Sequence, residues 1–154
     1  MTKALETLIE LAKGRMDDAA KKLGGLLASA RASDDKLKLL TEYRNEYRER
    51  FKSLAANGIG PEAWRNYSTF LGKLEEAIVE QQRLCDRDRA QVAMGQQAWV
   101  DERNRKMAFD TLVVRQQKAE IQRQNRSEQK MTDEHSAKLF RRTEEDNPPP
   151  PSDE

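Results

Sequence analysis

The residues of this chain that could do chemistry are few and far apart. Cys85 is the one cysteine and His135 the one histidine. No intrachain disulfide and no paired-cysteine metal or redox motif can therefore form. Nor is there a second histidine to share a metal or to complete a nucleophile relay. His135 lies in a polar stretch near the end, as a solvated helical residue would. The adjacent carboxylates Asp17-Asp18, Asp34-Asp35 and Glu75-Glu76 are interleaved with lysine and arginine. That is the pattern of a charged helical face, not of an acid and a base held among apolar side chains. No G-x-x-x-x-G-K-[ST] phosphate loop occurs, since Gly24-Gly25 runs into Leu26-Leu27. These residue types and spacings predict no enzyme, no cofactor, no metal and no small-molecule substrate.

Binding chemistry is better represented. Tyr43 and Tyr47 fall shortly before the stretch Asn57-Gly58-Ile59-Gly60-Pro61, and Trp64, Tyr67 and Phe70 fall shortly after it. Such a cluster either caps a locally thickened core or forms an apolar patch for a protein partner. A second candidate is basic: residues 103–142 hold 11 lysines and arginines against 5 acidic residues, among them Arg115, Lys118, Arg123, Arg126 and Lys130. This excess could meet phosphate or an acidic protein surface, or it could simply be solvated. Nucleic-acid binders usually interleave aromatics with their basic residues, and only Phe109 and Phe140 lie nearby. The sequence therefore disfavours nucleic acid as partner.

Two helices must position these groups. Proline occurs at 61 and then only at 148–151, so a single break separates two long helical runs. Asn57-Gly58 suits a helix end and Pro61 the first turn of the next helix, which makes the two runs antiparallel neighbours. Steps of four and three from Leu5 give Leu5, Ile9, Ala12, Met16, Ala19, Leu23, Leu26, Ala30, Ser33, Leu37, Leu40, Arg44, Tyr47, Phe51 and Leu54. This is an unbroken heptad seam, in a helix of roughly 80 Å. Gly24-Gly25 within it marks either a weak, bent spot or a site of close helix packing. In the second run, Trp64, Tyr67 and Leu74 accompany seven-residue steps from Leu71 through Ile78, Cys85, Val92, Trp99, Lys106 and Val113. A flanking row adds Phe70, Ala77, Leu84, Ala98 and Leu112. Folding about residue 59 pairs position i with about 118 − i, so residues beyond about Gln116 overhang their partner.

The expected fold is all-α: a long antiparallel two-helix coiled coil over 1–142, with helix 1 about 3–55, a turn at 56–61 and helix 2 about 62–140. A disordered, acidic, Pro-rich tail follows over 143–154. Composition agrees, because Ala, Glu, Lys, Leu and Arg make up about half of the 154 residues. The formal net charge of +1 conceals a balanced hairpin, a basic overhang and a tail with 5 acidic and no basic residues. Without a signal-like start or an apolar run of membrane-spanning length, the expectation is a cytoplasmic protein whose membrane contact is at most peripheral.

The residues Ala4-Leu5-Glu6-Thr7-Leu8, Asp17-Asp18-Ala19-Ala20, Leu23-Gly24, Tyr43-Arg44-Asn45-Glu46-Tyr47-Arg48, Asn57-Gly58-Ile59 and Trp64-Arg65-Asn66-Tyr67 resemble the flagellar type III export protein FliJ family. The likeness continues through Phe70, Leu74, Ala77-Ile78, Trp99, Arg115-Gln116, Asn125-Arg126 and Asp133-Glu134, about nine-tenths of the chain. The resemblance implies a non-enzymatic stalk-like coiled coil, similar to the central stalk subunit of rotary ATPases. As partners it implies the export ATPase FliI, whose ring the terminal end of the hairpin enters, the cytoplasmic domain of the export gate FlhA, and export chaperones. For the gate it implies Leu40, Tyr43, Tyr47, Phe70, Leu74, Ala77 and Gln81, and a cytoplasmic location peripheral to the inner membrane. For the ATPase, the basic excess suggests Arg115, Arg123 and Arg126. The rival expectation is a structural or nucleic-acid-binding helical hairpin unrelated to export.

Overall fold

The structure, a computed structural model, describes residues 3–147 and 150–151. Two helices make up almost all of it: α1 spans Lys3–Ala56 and α2 spans Pro61–Asp146. The described residues contain no strand. Contacts divide the chain into two units, one of residues 10–106 and one of residues 1–9 with 107–154.

The larger unit is a helical hairpin, and its turn follows from the residue types. At the end of α1 the Asn57 N–H donates to the Ser53 carbonyl at 3.2 Å and the Gly58 N–H to the Ala55 carbonyl at 3.2 Å. Gly58 has φ +85°, a conformation that side chains with a Cβ resist, so the helix stops here. Pro61 opens α2, where its missing N–H leaves nothing unsatisfied. The first intrahelical bond runs from the Trp64 N–H to the Gly60 carbonyl at 3.0 Å.

Every position of the heptad seam read along α1 is buried or half-buried except Leu54, which sits at the margin with 37% exposure. The row from Leu71 to Val113 is likewise covered. The second row of α2 differs from expectation. Of Phe70, Ala77, Leu84, Ala98 and Leu112, only Leu84 is even half-buried. The packed row is instead Tyr67, Leu74, Gln81, Asp88, Gly95, Glu102 and Phe109. Helix geometry explains the correction. A seam recurs at steps of three and four, so Leu74 and its heptad successors face α1 whether or not they are apolar, while Phe70 and Ala77 point to one side.

Cross-helix contacts bear out the antiparallel register. Phe51 meets Tyr67, Tyr47 meets Phe70 and Arg44 meets Glu75, all within a few residues of the 118 − i rule. The two helices approach closely at Gly95. A Cβ there would stand 2.8 Å from Leu26 Cδ1 and 3.5 Å from Leu23 Cδ1. Gly24 and Gly25 have nothing within 4 Å of a Cβ position and lie inside unbroken helix. Close packing is therefore not their role.

In the smaller unit Leu5 is buried, while Ile9, Phe109, Asp110 and Val113 are half-buried. From Val114 to Asn147 every residue is exposed, so cover ends close to where the pairing rule exhausts α1. The helix itself persists to Asp146, beyond the expected end near 140 and into the stretch assigned to the tail. Glutamate and arginine favour helix, and the Thr143 hydroxyl donates to the Leu139 carbonyl at 2.9 Å. Pro148 ends the run, because a residue preceding proline is driven from the helical conformation. The remainder of the expected tail, at 148, 149 and 152–154, lies outside the described residues.

Candidate interaction surfaces

Five aromatic side chains and Phe51 form a continuous stack near the turn. Phe51 lies 6.2 Å from Trp64 and 5.7 Å from Tyr67, centroid to centroid. Tyr47 packs 5.2 Å from Tyr67 and, edge to face, 4.7 Å from Phe70. Tyr43 closes the series at 6.4 Å from Phe70, nearly perpendicular to it. Such pairs stabilise by about 0.5–1.5 kcal/mol beyond the area they bury, so the cluster is structural along its inner edge. Burial, with Tyr67 and Tyr43 adding, pushes the Tyr47 phenol above its ordinary value.

The outer edge is open. Tyr43 is 47% exposed, Phe70 37%, and Ala77 lies exposed one heptad beyond Phe70. These three share one side of the seam. On the other side, Arg44 and Arg48 both reach Glu75, at 3.3 and 2.6 Å, and Asp34 pairs with Arg89 at 3.4 Å. The hairpin thus carries ion pairs along one flank and an aromatic edge along the opposite one. Glu75, read from the sequence as part of a solvated face, is a cross-helix ion-pair partner.

The seven residues implied for gate binding separate by burial. Tyr43, Phe70 and Ala77 are exposed, Leu40 and Tyr47 are half-buried, and Leu74 and Gln81 lie inside the seam at 7% and 4% exposure. The structure groups the first five near the aromatic edge and turns the last two toward α1. Arg115, Arg123 and Arg126 are all exposed, and Arg123 pairs with Glu120 on its own helix.

A polar layer in the middle of the seam was not anticipated. Asp88, 6% exposed, accepts a hydrogen bond from the Ser33 hydroxyl at 2.5 Å. The Gln81 amide donates to the Ser33 carbonyl at 2.9 Å. The Ser33 hydroxyl, with Arg87 adding, holds the Asp88 carboxyl below the usual range against the opposing effect of burial. Cys85, 1% exposed, lies between them on α2, and burial pushes its thiol up. The three- and four-residue steps from Leu74 pass through 81 and 88, so the signal was present and was masked by the polar residue types.

Among the described residues no helix is long and apolar enough to cross a membrane, and no group of three His, Cys, Asp or Glu could hold a metal ion. What the fold and surfaces define is an antiparallel helical hairpin with an exposed aromatic edge and a helical extension that is exposed throughout. The model of the family described as flagellar FliJ protein matches residues 1–145. A flagellar FliJ protein of Salmonella typhi is 34% identical over 142 residues, covering 92% of this chain and 97% of that relative. Its counterpart in Escherichia coli K12 is 33% identical over the same length and the same shares. The chain belongs to the flagellar FliJ family.

Proposed function

We propose that this protein is a non-enzymatic connector in flagellar protein export. In this reading the aromatic edge near the turn meets the cytoplasmic domain of the export gate FlhA. The exposed end of α2 engages and stimulates the export ATPase FliI, and the protein handles export chaperones at the inner membrane as a peripheral component. The observation that carries the reading is the asymmetry of the hairpin. One flank satisfies its charges internally through Glu75, whereas the other leaves Tyr43, Phe70 and Ala77 uncovered. Aromatic side chains held rigid by their neighbours and open on one edge are the kind that anchor protein interfaces. The extension after Val113 supports a second partner, because it packs no face against the rest of the chain, whereas helices in proteins take most of their stability from such packing.

The test separates surface from seam. Tyr43→Ser with Ala77→Glu should weaken binding to the gate domain at least tenfold, about 1.4 kcal/mol, with helix content by circular dichroism unchanged. Glu75→Gln on the opposite flank should leave binding intact. Unaltered gate binding in the first variant would refute the assignment. For the ATPase, alanine at Arg115, Arg123 and Arg126 should reduce stimulation of ATP hydrolysis, and unchanged stimulation would refute that part alone.

A further inference from the structure

The polar layer at Ser33, Gln81 and Asp88 has a chemistry unlike the rest of the seam. Burying a carboxylate between two helices is costly unless it is paired and hydrogen-bonded, and such groups are often a poorer source of stability than apolar residues of the same size. What they can supply is discrimination between alignments. A buried polar residue in a coiled coil fixes register because only one alignment satisfies it.

We infer that the Ser33–Asp88 layer is a register lock that selects one sliding position of α1 against α2. The two oxygens of Asp88 have different partners: Oδ2 takes the Ser33 hydroxyl across the seam, and Oδ1 lies 3.4 Å from Arg87 on its own helix. The contact to Arg87 is available in any alignment. The one to Ser33 is not. If α1 slides by one heptad in either direction, the place of Ser33 is taken by Leu26 or Leu40, both seam residues, and the buried carboxylate faces methyl groups. Gln81 discriminates less, because every position of α1 offers a carbonyl.

The apolar rungs and the turn do not enforce the alignment by themselves. Leucine, isoleucine, valine and alanine on facing rows can pack in more than one register. A slide of one heptad moves the turn by only three or four residues. An α2 that began two residues earlier would still keep Pro61 among the first-turn positions where no N–H is required, and loop residues can take up the rest of the shift. Gly95, shaped to receive Leu26, supports the same alignment, but a void left there is cheaper than an unpaired charge.

Photo-crosslinking in the full chain tests the lock. p-Benzoyl-phenylalanine introduced at Lys22, which shares a groove with Gln91, Met94, Gly95 and Ala98, is irradiated and the products are mapped by peptide mass spectrometry. In the otherwise unaltered chain, crosslinks should fall on residues 91–98. In Ser33→Ala with Asp88→Leu, helix content should persist and the melting temperature should hold or rise. Further crosslinks should then appear about 10 Å along the axis, one heptad to either side. Exchanging the partners, Ser33→Asp with Asp88→Ser, should restore the single position. Crosslinks confined to 91–98 in the apolar variant would overturn the proposal. So would loss of its helix content, which would mean that the layer supplies stability and not alignment, or an equal spread in the exchange variant.

Discussion

Replacing the glycines of the hairpin by alanine turns the packing geometry into numbers. Within a helix, alanine is favoured over glycine by about 1 kcal/mol, because glycine loses more conformational freedom on folding. At Gly24 and Gly25 a Cβ meets nothing within 4 Å, so the gain is unopposed. Gly24→Ala with Gly25→Ala should stabilise the protein by about 2 kcal/mol, roughly 4–8 °C in melting temperature for a chain of this size. At Gly95 the same propensity acts against a contact of 2.8 Å to Leu26 Cδ1. That atom is the far end of a half-exposed side chain, so Leu26 can rotate away, at an overpacking cost of about 1–3 kcal/mol. Gly95→Ala should therefore be neutral or destabilising by up to about 2 kcal/mol. Urea titration monitored by circular dichroism measures the double variant, Gly24→Ala alone and Gly95→Ala on one scale. A Gly95→Ala gain equal to that of Gly24→Ala would show that the helices are not in close approach at Gly95, and the reasoning would fail. Protection from hydrogen exchange around residues 20–30 should rise in the double variant, since the glycine pair lowers local helix stability without contributing to packing.

Two further predictions concern the polar layer. Because the Ser33 hydroxyl depresses the Asp88 carboxyl, the stability this group lends is fully present above the ordinary aspartate value, about pH 4, and is lost as pH falls through its lower folded value. Melting curves between pH 2 and 6 should therefore show a shallower acid limb in Asp88→Asn than in the parent, and parallel limbs would contradict the linkage. Cys85, buried in the seam with its thiol raised by burial, should resist alkylation by iodoacetamide at neutral pH and react at the rate at which the hairpin opens. Immediate stoichiometric labelling of the native chain would place the thiol outside the seam.

The sequence by itself determined the hairpin. A break with Asn57-Gly58 and Pro61 between two proline-free runs leaves few alternatives to antiparallel helices, and the heptad steps along α1 named its inner face, because there nearly every seam residue is apolar. The same reasoning faltered on α2. It followed Phe70, Ala77 and Leu84 for their hydrophobicity and passed over Gln81, Asp88 and Glu102, which helix phase places in the seam. Residue type and helix phase usually agree, and where they conflict only the packed structure shows which wins. The division of the gate candidates into exposed Tyr43, Phe70 and Ala77 and enclosed Leu74 and Gln81 was likewise decided by tertiary structure. Exposure depends on which neighbour lies across the seam, and that is a property of two helices in register, not of either one alone. The hydrogen bond from Ser33 to Asp88 joins residues 55 positions apart, which no local pattern in the chain could reveal.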